Sequence, residues 1–176
     1  MHELRFDRDK VFRSFRLEIG PLLARQQADR LDQLLTAAET APPPDAFRRY
    51  NDRDVAVRQL SYVLATVYHE THHTFDLAEM AADRGGHRWT QDFVTLAMGM
   101  RRGWFTGLTL NNFINPKLLD YAQARRVFTH DMTDAEVVAE HARRFERILR
   151  AALVTSPQVG EGLTAPPPRD PQGKAA

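Results

Sequence analysis

The feature of the sequence that most constrains the fold is an apolar helical pattern that ends at a carboxylic acid. At about 100° per residue, Val63, Leu64 and Val67 in the stretch 60–71 fall on one stripe, with Glu70 at its edge. A carboxyl group in that position is partly desolvated, which disfavours its charged form and raises its pKa. The pattern alone fits two interpretations, a helix-end glutamate that reaches solvent and a general acid held partly out of water.

The composition is that of a globular domain. The chain has 176 residues, 43% of them hydrophobic, and no apolar run approaches the roughly 18 residues that a membrane span needs, so we expect no membrane insertion. Residues 1–7 lack the apolar core of a signal peptide. We therefore expect a protein that is cytoplasmic at synthesis, with phage lysis machinery such as a holin as a route to the cell wall. The absence of cysteine excludes disulfides, thiolate metal sites and cysteine catalysis.

Helical periodicity runs through most of the chain, and no alternating strand pattern of any length is present. The predicted helices lie around residues 11–19, 31–40, 54–74, 90–103, 116–128 and 133–149. We therefore predict an all-α fold with about six helices in a single domain over residues 1–155. The stretch 156–176 is polar and rich in proline, which predicts a disordered tail.

Capping residues set the boundaries of the later helices. Thr90 is placed to cap the fourth helix, and Gly103 ends it. Pro116 suits the first turn of the fifth helix. Residues 133–136, Thr-Asp-Ala-Glu, match a capping box at the start of the last helix. The predicted core side of that helix carries Val137, Val138, Phe145, Ile148 and Leu149.

A zinc site is a second interpretation of the same region. His69, Glu70 and His73 satisfy the His-Glu-x-x-His pattern, in which two histidines bind zinc and the glutamate acts as base. On a continuous helix, however, both histidines point away from the apolar stripe and toward solvent. A third ligand is also needed, and Glu79 and His87 are the candidates. We expect no metal here, with His69 and His73 as the weaker alternative.

Four segments, in order over about 140 residues, carry a family resemblance. They are residues 6–22, which begin FDRDKVF and end GPL, residues 60–71 (LSYVLATVYHET), residues 99–107 (GMRRGWFTG), and the pair 124–127 (ARRV) and 139–145 (AEHARRF). The ordered set resembles the glycoside hydrolase family 19 chitinase-like domain of the lysozyme superfamily, especially that of phage endolysins. The resemblance implies a lysozyme-like helical domain and a hydrolase of peptidoglycan or chitin.

The resemblance also implies roles for individual carboxyl groups. Glu70 matches the catalytic acid of the family. The family's count places its second carboxylate at Met80, so Glu79 fits after a shift of one residue, and Asp76 is the other choice. An inverting glycosidase holds its two carboxyl groups about 6.5–9.5 Å apart. Because an unbroken helix would separate Glu70 from Glu79 by about 13 Å along its axis, we expect a break near residues 74–76.

The cleft is expected to be smaller than in the family. The sugar-binding motif GRGxxQLTxxxNY is absent, and Thr129-His130 replaces the NG pair that follows the paired arginines. The remaining substrate-binding positions that the resemblance implies are Tyr68, His69, Thr71, Trp104, Phe105 and Arg125. For Trp104 and Phe105 the alternative is packing of the turn between two helices.

Three functions remain open from the sequence. The first is a β-1,4-glycan hydrolase of endolysin type with a reduced cleft, which needs no cofactor. The second is an inactive lysozyme-like protein that binds glycan or a protein partner, and the third is a zinc peptidase. A formal net charge of +1 gives no argument for nucleic acid. The arginines of the last two predicted helices are interleaved with glutamates, as on a solvated helix face.

Overall fold

The computed structural model of the chain describes residues 4–20, 24–40, 52–83 and 92–154. Its α-helices are α1 (Arg8–Glu18), α2 (Arg25–Thr40), α3 (Arg53–Glu70), α4 (Leu77–Asp83), α5 (Phe93–Arg102) and α6 (Ala135–Ala152). Two 3-10 helices, Leu110–Asn112 and Gln123–Val127, lie between α5 and α6. Only isolated β-bridges occur besides helices in these ranges, so the prediction of an all-α fold is confirmed. The predictions for Thr90, His87 and the tail 156–176 lie outside the described residues.

Helix α3 is the central element of the fold. The Asp52 side chain caps its start by accepting hydrogen bonds from the backbone amides of Asp54 and Val55. From Val55 to Tyr68 every residue of α3 except Arg58 is buried. A helix that is apolar on all sides must be surrounded by protein, and α3 packs mainly against α6, which in turn packs against α1. The single hydrophobic core draws residues from all six α-helices.

The two ends of the described chain meet beside this core. The amide of Asp7 donates to the carbonyl of Ala152, and the amide of Val154 donates to the carbonyl of Arg5, both at 2.8 Å. Arg8, the first residue of α1, forms an ion pair with Glu39 of α2 at 2.8 Å. These contacts fix α1 between α2 and α6. None of the described helices is long and apolar enough to cross a membrane.

Helix α6 is amphipathic, and two predictions about it are wrong. Val138, Phe145, Ile148 and Leu149 are buried as predicted, but Val137 is 48% exposed because it lies on the outer face of the helix. The capping box is also absent, because the helix starts at Ala135 and the Thr133 hydroxyl donates to Asp131. Asp131 thus closes a local turn that ends before the helix begins.

The helix predicted from Pro116 to Phe128 does not form. Residues 114 and 119 pair in an isolated antiparallel bridge, and the Asn115 side chain accepts hydrogen bonds from the amides of Lys117 and Leu118. An Asn-Pro pair favours such a side-chain-closed turn, and the residue before a proline avoids helical angles. Only the 3-10 helix Gln123–Val127 remains of the prediction.

The prediction that Gly103 ends α5 is confirmed. Gly103 caps the helix with a left-handed backbone at a φ of 76°, and its amide donates to the carbonyl of Gly99. A Cβ atom at this position would lie 2.9 Å from the carbonyl oxygen of Gly107. Gly107 also has a positive φ, at 82°, but a Cβ atom there would meet nothing within 4 Å.

We predict that Gly103→Ala destabilises the protein more than Gly107→Ala. Both variants place an alanine in the left-handed region, which costs about 1–2 kcal/mol, and only Gly103→Ala also drives a methyl group into a backbone carbonyl. The free energy of unfolding from urea titrations measures the difference, which we expect to be about 1 kcal/mol or more. Equal losses in the two variants would contradict the close approach of the two backbones.

Candidate functional site

Helix α3 ends abruptly at Glu70, and a tight turn of residues 71–76 leads to α4. We call these residues the α3–α4 turn. The Thr71 hydroxyl donates to the carbonyl of Val67 at 2.7 Å and accepts from the amide of Phe75 at 2.9 Å. Thr71 is fully buried, so its side chain ties the turn together and does not face solvent. The helix predicted to run to about Thr74 thus ends four residues earlier, and the chain breaks before Glu79.

The backbone of the α3–α4 turn adopts an unusual conformation. His72, His73 and Phe75 have φ values of 48°, 74° and 59°. Non-glycine residues rarely adopt positive φ, and each costs on the order of 1–3 kcal/mol unless its surroundings hold it. Here the buried ring of Phe75 anchors the turn by packing against Phe15, Tyr68 and Phe145. Strain of this kind is common at functional sites, but it does not identify one alone.

Glu70 forms an ion pair with Arg125 of the second 3-10 helix. Arg125 Nη2 lies 2.6 Å from Glu70 Oε1, and the two side chains are 6% and 13% exposed respectively. The contact is short but is not aligned as a hydrogen bond, so it is mainly electrostatic. A positive charge at this distance favours the carboxylate over the carboxylic acid, whereas burial favours the acid. Two opposing effects therefore act on Glu70.

Tyr62 of α3 is a third buried polar residue, and it lies near Glu70 and Arg125. It lies two helical turns before Glu70, is fully buried, and stacks on Tyr121 with a centroid distance of 6.1 Å. Burial raises the pKa of Tyr62, although the nearby guanidinium of Arg125 acts in the opposite direction, so the phenol remains protonated. Tyr62 was not predicted from the sequence. Its spacing of eight residues from Glu70 places both on one helix face, and that spacing was the available signal.

The two candidates for the second carboxylate occupy different environments. Asp76 is held on both oxygens, because Oδ2 lies 2.6 Å from Arg30 Nη2 and Oδ1 accepts from the amide of Ala78 at 3.0 Å. Glu79 is 40% exposed, with the Thr74 hydroxyl 2.8 Å from Oε2 and His72 Nδ1 3.7 Å from Oε1. Asp76 therefore has a structural role as the cap of α4 and as a link to α2. Glu79 is the more exposed of the two carboxylates.

The aromatic residues of the predicted sugar surface separate into buried and exposed members. Tyr68 is buried in a cluster with Phe15, Phe75 and Phe145, so its ring has no open face for a sugar. Phe105 packs edge-on against Phe128 at 5.2 Å, which agrees with its alternative role in the turn. Trp104 is 42% exposed, with the guanidinium of Arg102 at 6.0 Å from its ring. Of these three aromatic side chains, Trp104 is the most exposed.

The His-Glu-x-x-His residues do not lie on one continuous helix. Because α3 ends at Glu70, His73 follows in the α3–α4 turn with a positive φ, and its ring stacks on Tyr68 at 4.2 Å. His69 Nε2 lies 3.3 Å from Asp134 Oδ2. No group of three metal-ligating side chains suited to a metal ion occurs in the described ranges. The geometry of a helical zinc motif is therefore not formed.

His141 of α6, which was not predicted from the sequence, lies close to these two histidines. Its ring centroid lies 5.6 Å from that of His73 and 6.4 Å from that of His69, and its edge contacts Tyr68 at 5.1 Å. Burial lowers the pKa of His141 to about 4, and the neighbouring His73 and His69 act in the same direction. Burial also lowers the pKa of His73. We call His69, His73 and His141 the histidine cluster.

We predict that Glu70 and Arg125 stabilise the protein as a coupled pair. Arg125→Met leaves a largely buried carboxylate without its guanidinium and should cost about 3 kcal/mol. The double variant with Glu70→Gln should lose less than the sum of the single losses, with a coupling energy of about 2 kcal/mol. Urea titrations of the four proteins give this value.

The control for this cycle is the surface pair Arg143–Glu140, whose 3.5 Å contact joins two roughly half-exposed side chains. Its coupling energy should stay below about 1 kcal/mol. A coupling energy for Glu70 and Arg125 no larger than that of the surface pair would show that the buried contact does not hold in solution.

Comparison with known proteins identified no relative of this chain. No protein-family model matches the chain. No curated protein and no solved structure matches it either. The likeness to glycoside hydrolase family 19 therefore rests on the four sequence segments alone, and the function inferred from it is a proposal.

Proposed function

We propose that the chain is a β-1,4-glycan hydrolase acting on cell-wall peptidoglycan or chitin, of phage-endolysin type with a reduced cleft. The observation that carries the proposal is the placement of Glu70. It is a largely buried carboxyl group at the end of a buried helix, where the chain breaks and continues toward Glu79. Hydrolysis of a glycosidic bond requires a carboxylic acid and a second, accessible carboxylate, and Glu79 is our candidate for the second group.

In this proposal the two carboxyl groups have separate roles. Glu70 protonates the oxygen of the leaving sugar, and Glu79 removes a proton from the attacking water. Glu79 fits the second role better than Asp76, because Asp76 is engaged by Arg30 and by the start of α4. The α3–α4 turn lies between the two groups in the chain. Trp104, which is 42% exposed, suits contact with a sugar ring.

Arg125 acts on Glu70 and not as a direct contact for sugar. Its side chain is 6% exposed and its guanidinium faces Glu70. By favouring the carboxylate, it lowers the pH range in which Glu70 holds a proton.

The same ion pair supports the second candidate, an inactive lysozyme-like protein that binds glycan or a protein partner. A carboxylate held by a guanidinium at 2.6 Å has no proton to donate. If the pair persists when glycan binds, the fold positions a charged pair and performs no hydrolysis. Wall binding without release of fragments distinguishes this candidate from the hydrolase.

We predict that Glu70→Gln lowers hydrolysis of purified cell wall by at least about 100-fold, the usual contribution of a general acid. Loss of turbidity and release of muropeptides measure the rate, and sedimentation with insoluble wall measures binding. The control is Glu136→Gln, which alters an exposed glutamate at the start of α6. Equal rates for Glu70→Gln and the unaltered protein would contradict the acid role. Wall binding with no fragments from the unaltered protein would support the binding function.

We further predict that Glu79→Gln and Asp76→Asn affect different quantities. Glu79→Gln should lower kcat by about 100-fold or more with little loss of stability, because it removes the proposed base. Asp76→Asn should instead lower the free energy of unfolding, because it weakens the contact with Arg30 and the cap of α4. Unfolding curves and initial rates for both variants separate these effects. A large fall in kcat for stable Asp76→Asn alone would transfer the base role to Asp76.

A metal requirement is tested in the same assay. The hydrolase needs no cofactor, so treatment with a chelator should leave the rate unchanged. Activity that is lost with the chelator and restored by zinc would support the peptidase alternative.

A further inference from the structure

The histidine cluster surrounds Tyr68 at the point where α3 gives way to the α3–α4 turn. His73 stacks on the face of Tyr68, and His141 of α6 contacts the same ring edge-on. The Nδ1 atom of His141 is buried and has no hydrogen-bond partner in the part of the chain that the structure describes. A proton added there would place an unpaired charge in a buried site, which is unfavourable.

The charged groups around the cluster would not balance positive charges on all three rings. Asp134, before α6, contacts His69, while Glu140 and Arg144 act on His141 from its own helix with opposite signs. His72 adds a further histidine in the turn and faces Glu79 of α4. Arg30 of α2 donates to the carbonyl of Thr74 and pairs with Asp76. Protonation of the cluster would therefore add more positive charge than the neighbouring carboxylates balance.

We propose that the histidine cluster is an acid-triggered switch that releases residues 72–74 of the α3–α4 turn from α6 while the helices stay folded. Protonation of His141 and His73 places positive charges on rings whose centroids are 5.6 Å apart. The two rings then separate, and residues 72–74 move away from α6.

The part of the turn around His73 is the element that yields, because it is exposed, whereas Thr71 and Phe75 on either side of it are buried and anchor the turn. His141 lies within the 18-residue helix α6, and His69 lies in the last turn of α3. His73 is exposed and is held by a backbone hydrogen bond to Tyr68 and by a bond from Gln27 to its carbonyl. The positive φ values of His72, His73 and Phe75 also favour release, since opening relieves backbone strain.

The direction of the pH dependence follows from the titration of His141. Its pKa is lowered from 6.5 to about 4 in the closed state, so the open state binds more protons between these values. The closed turn is thus fully stable above about pH 6.5 and loses stability as the pH falls toward 4. Full release of His141 alone predicts about a 20-fold increase in the opening equilibrium between pH 7 and pH 5.

Amide hydrogen exchange measured by NMR tests the proposal on the full chain. Protection factors, corrected for intrinsic exchange rates, are compared at pH 7 and pH 5 for the amides of His73 and Thr74 and for Leu64 and Ala65 within α3. Protection in the turn should fall by about 20-fold while protection within α3 is retained. An unchanged turn, or an equal loss of protection in α3, would overturn the proposal.

Two variants assign the effect to the cluster. His141→Gln removes the buried ring, and His73→Asn removes the partner ring with a residue that tolerates a positive φ. His141→Gln should reduce the fall in protection to a few-fold, because it removes the group that sets the change. His73→Asn should reduce it less, because His141 remains buried, and His130→Gln, at an exposed site outside the cluster, should keep the full change. A 20-fold fall that persists in His141→Gln would also overturn the proposal. If either substitution prevents folding, the comparison of turn and α3 in the unaltered protein decides the outcome.

Discussion

The burial of α3 on all sides is the constraint on which the rest of the structure depends. A helix without a polar face has to be enclosed, so α1, α6 and the segment 110–128 are arranged around it. Continuing α3 past Glu70 would extend it beyond this enclosure. The chain instead turns back through Thr71, whose hydroxyl satisfies both the end of the helix and the amide of Phe75. Glu70 is left at the boundary between core and solvent.

At this boundary, one effect favours a catalytic role for Glu70 and another opposes it. Partial burial favours a protonated carboxyl group, as a general acid needs, but Arg125 favours the charged form. The balance decides between a hydrolase and a protein that binds glycan without cleaving it. The histidine cluster begins at His69, the residue before Glu70.

Features that depend on local periodicity were predictable from the sequence. The core stripes of α1 and α6 follow from helical spacing, and Gly103 marks the end of α5 because only glycine readily adopts its conformation. The prediction failed for Val137, which lies one residue outside the buried face, and for Pro116, where an Asn-Pro turn replaced a helix. Tertiary packing decided the first case, whereas local turn chemistry decided the second.

The pairings that define the candidate site were not predictable in this way. Arg125 is 55 residues from Glu70 in the chain, and His141 is 68 residues from His73. Helical periodicity contains no information about which distant side chains meet. The break after Glu70 was expected only as a condition for catalysis, whereas the buried threonine and three positive φ values that form it required the folded chain.

The most direct test of the account is the structure of the Glu70→Gln variant with a bound chitin tetrasaccharide. We predict a glycosidic oxygen within about 2.6–3.2 Å of the side chain at position 70, the distance over which a general acid transfers its proton. We also predict one sugar ring against Trp104. An oligosaccharide bound on another face of the protein, with no sugar near position 70, would contradict the proposal that this helix end is the active site.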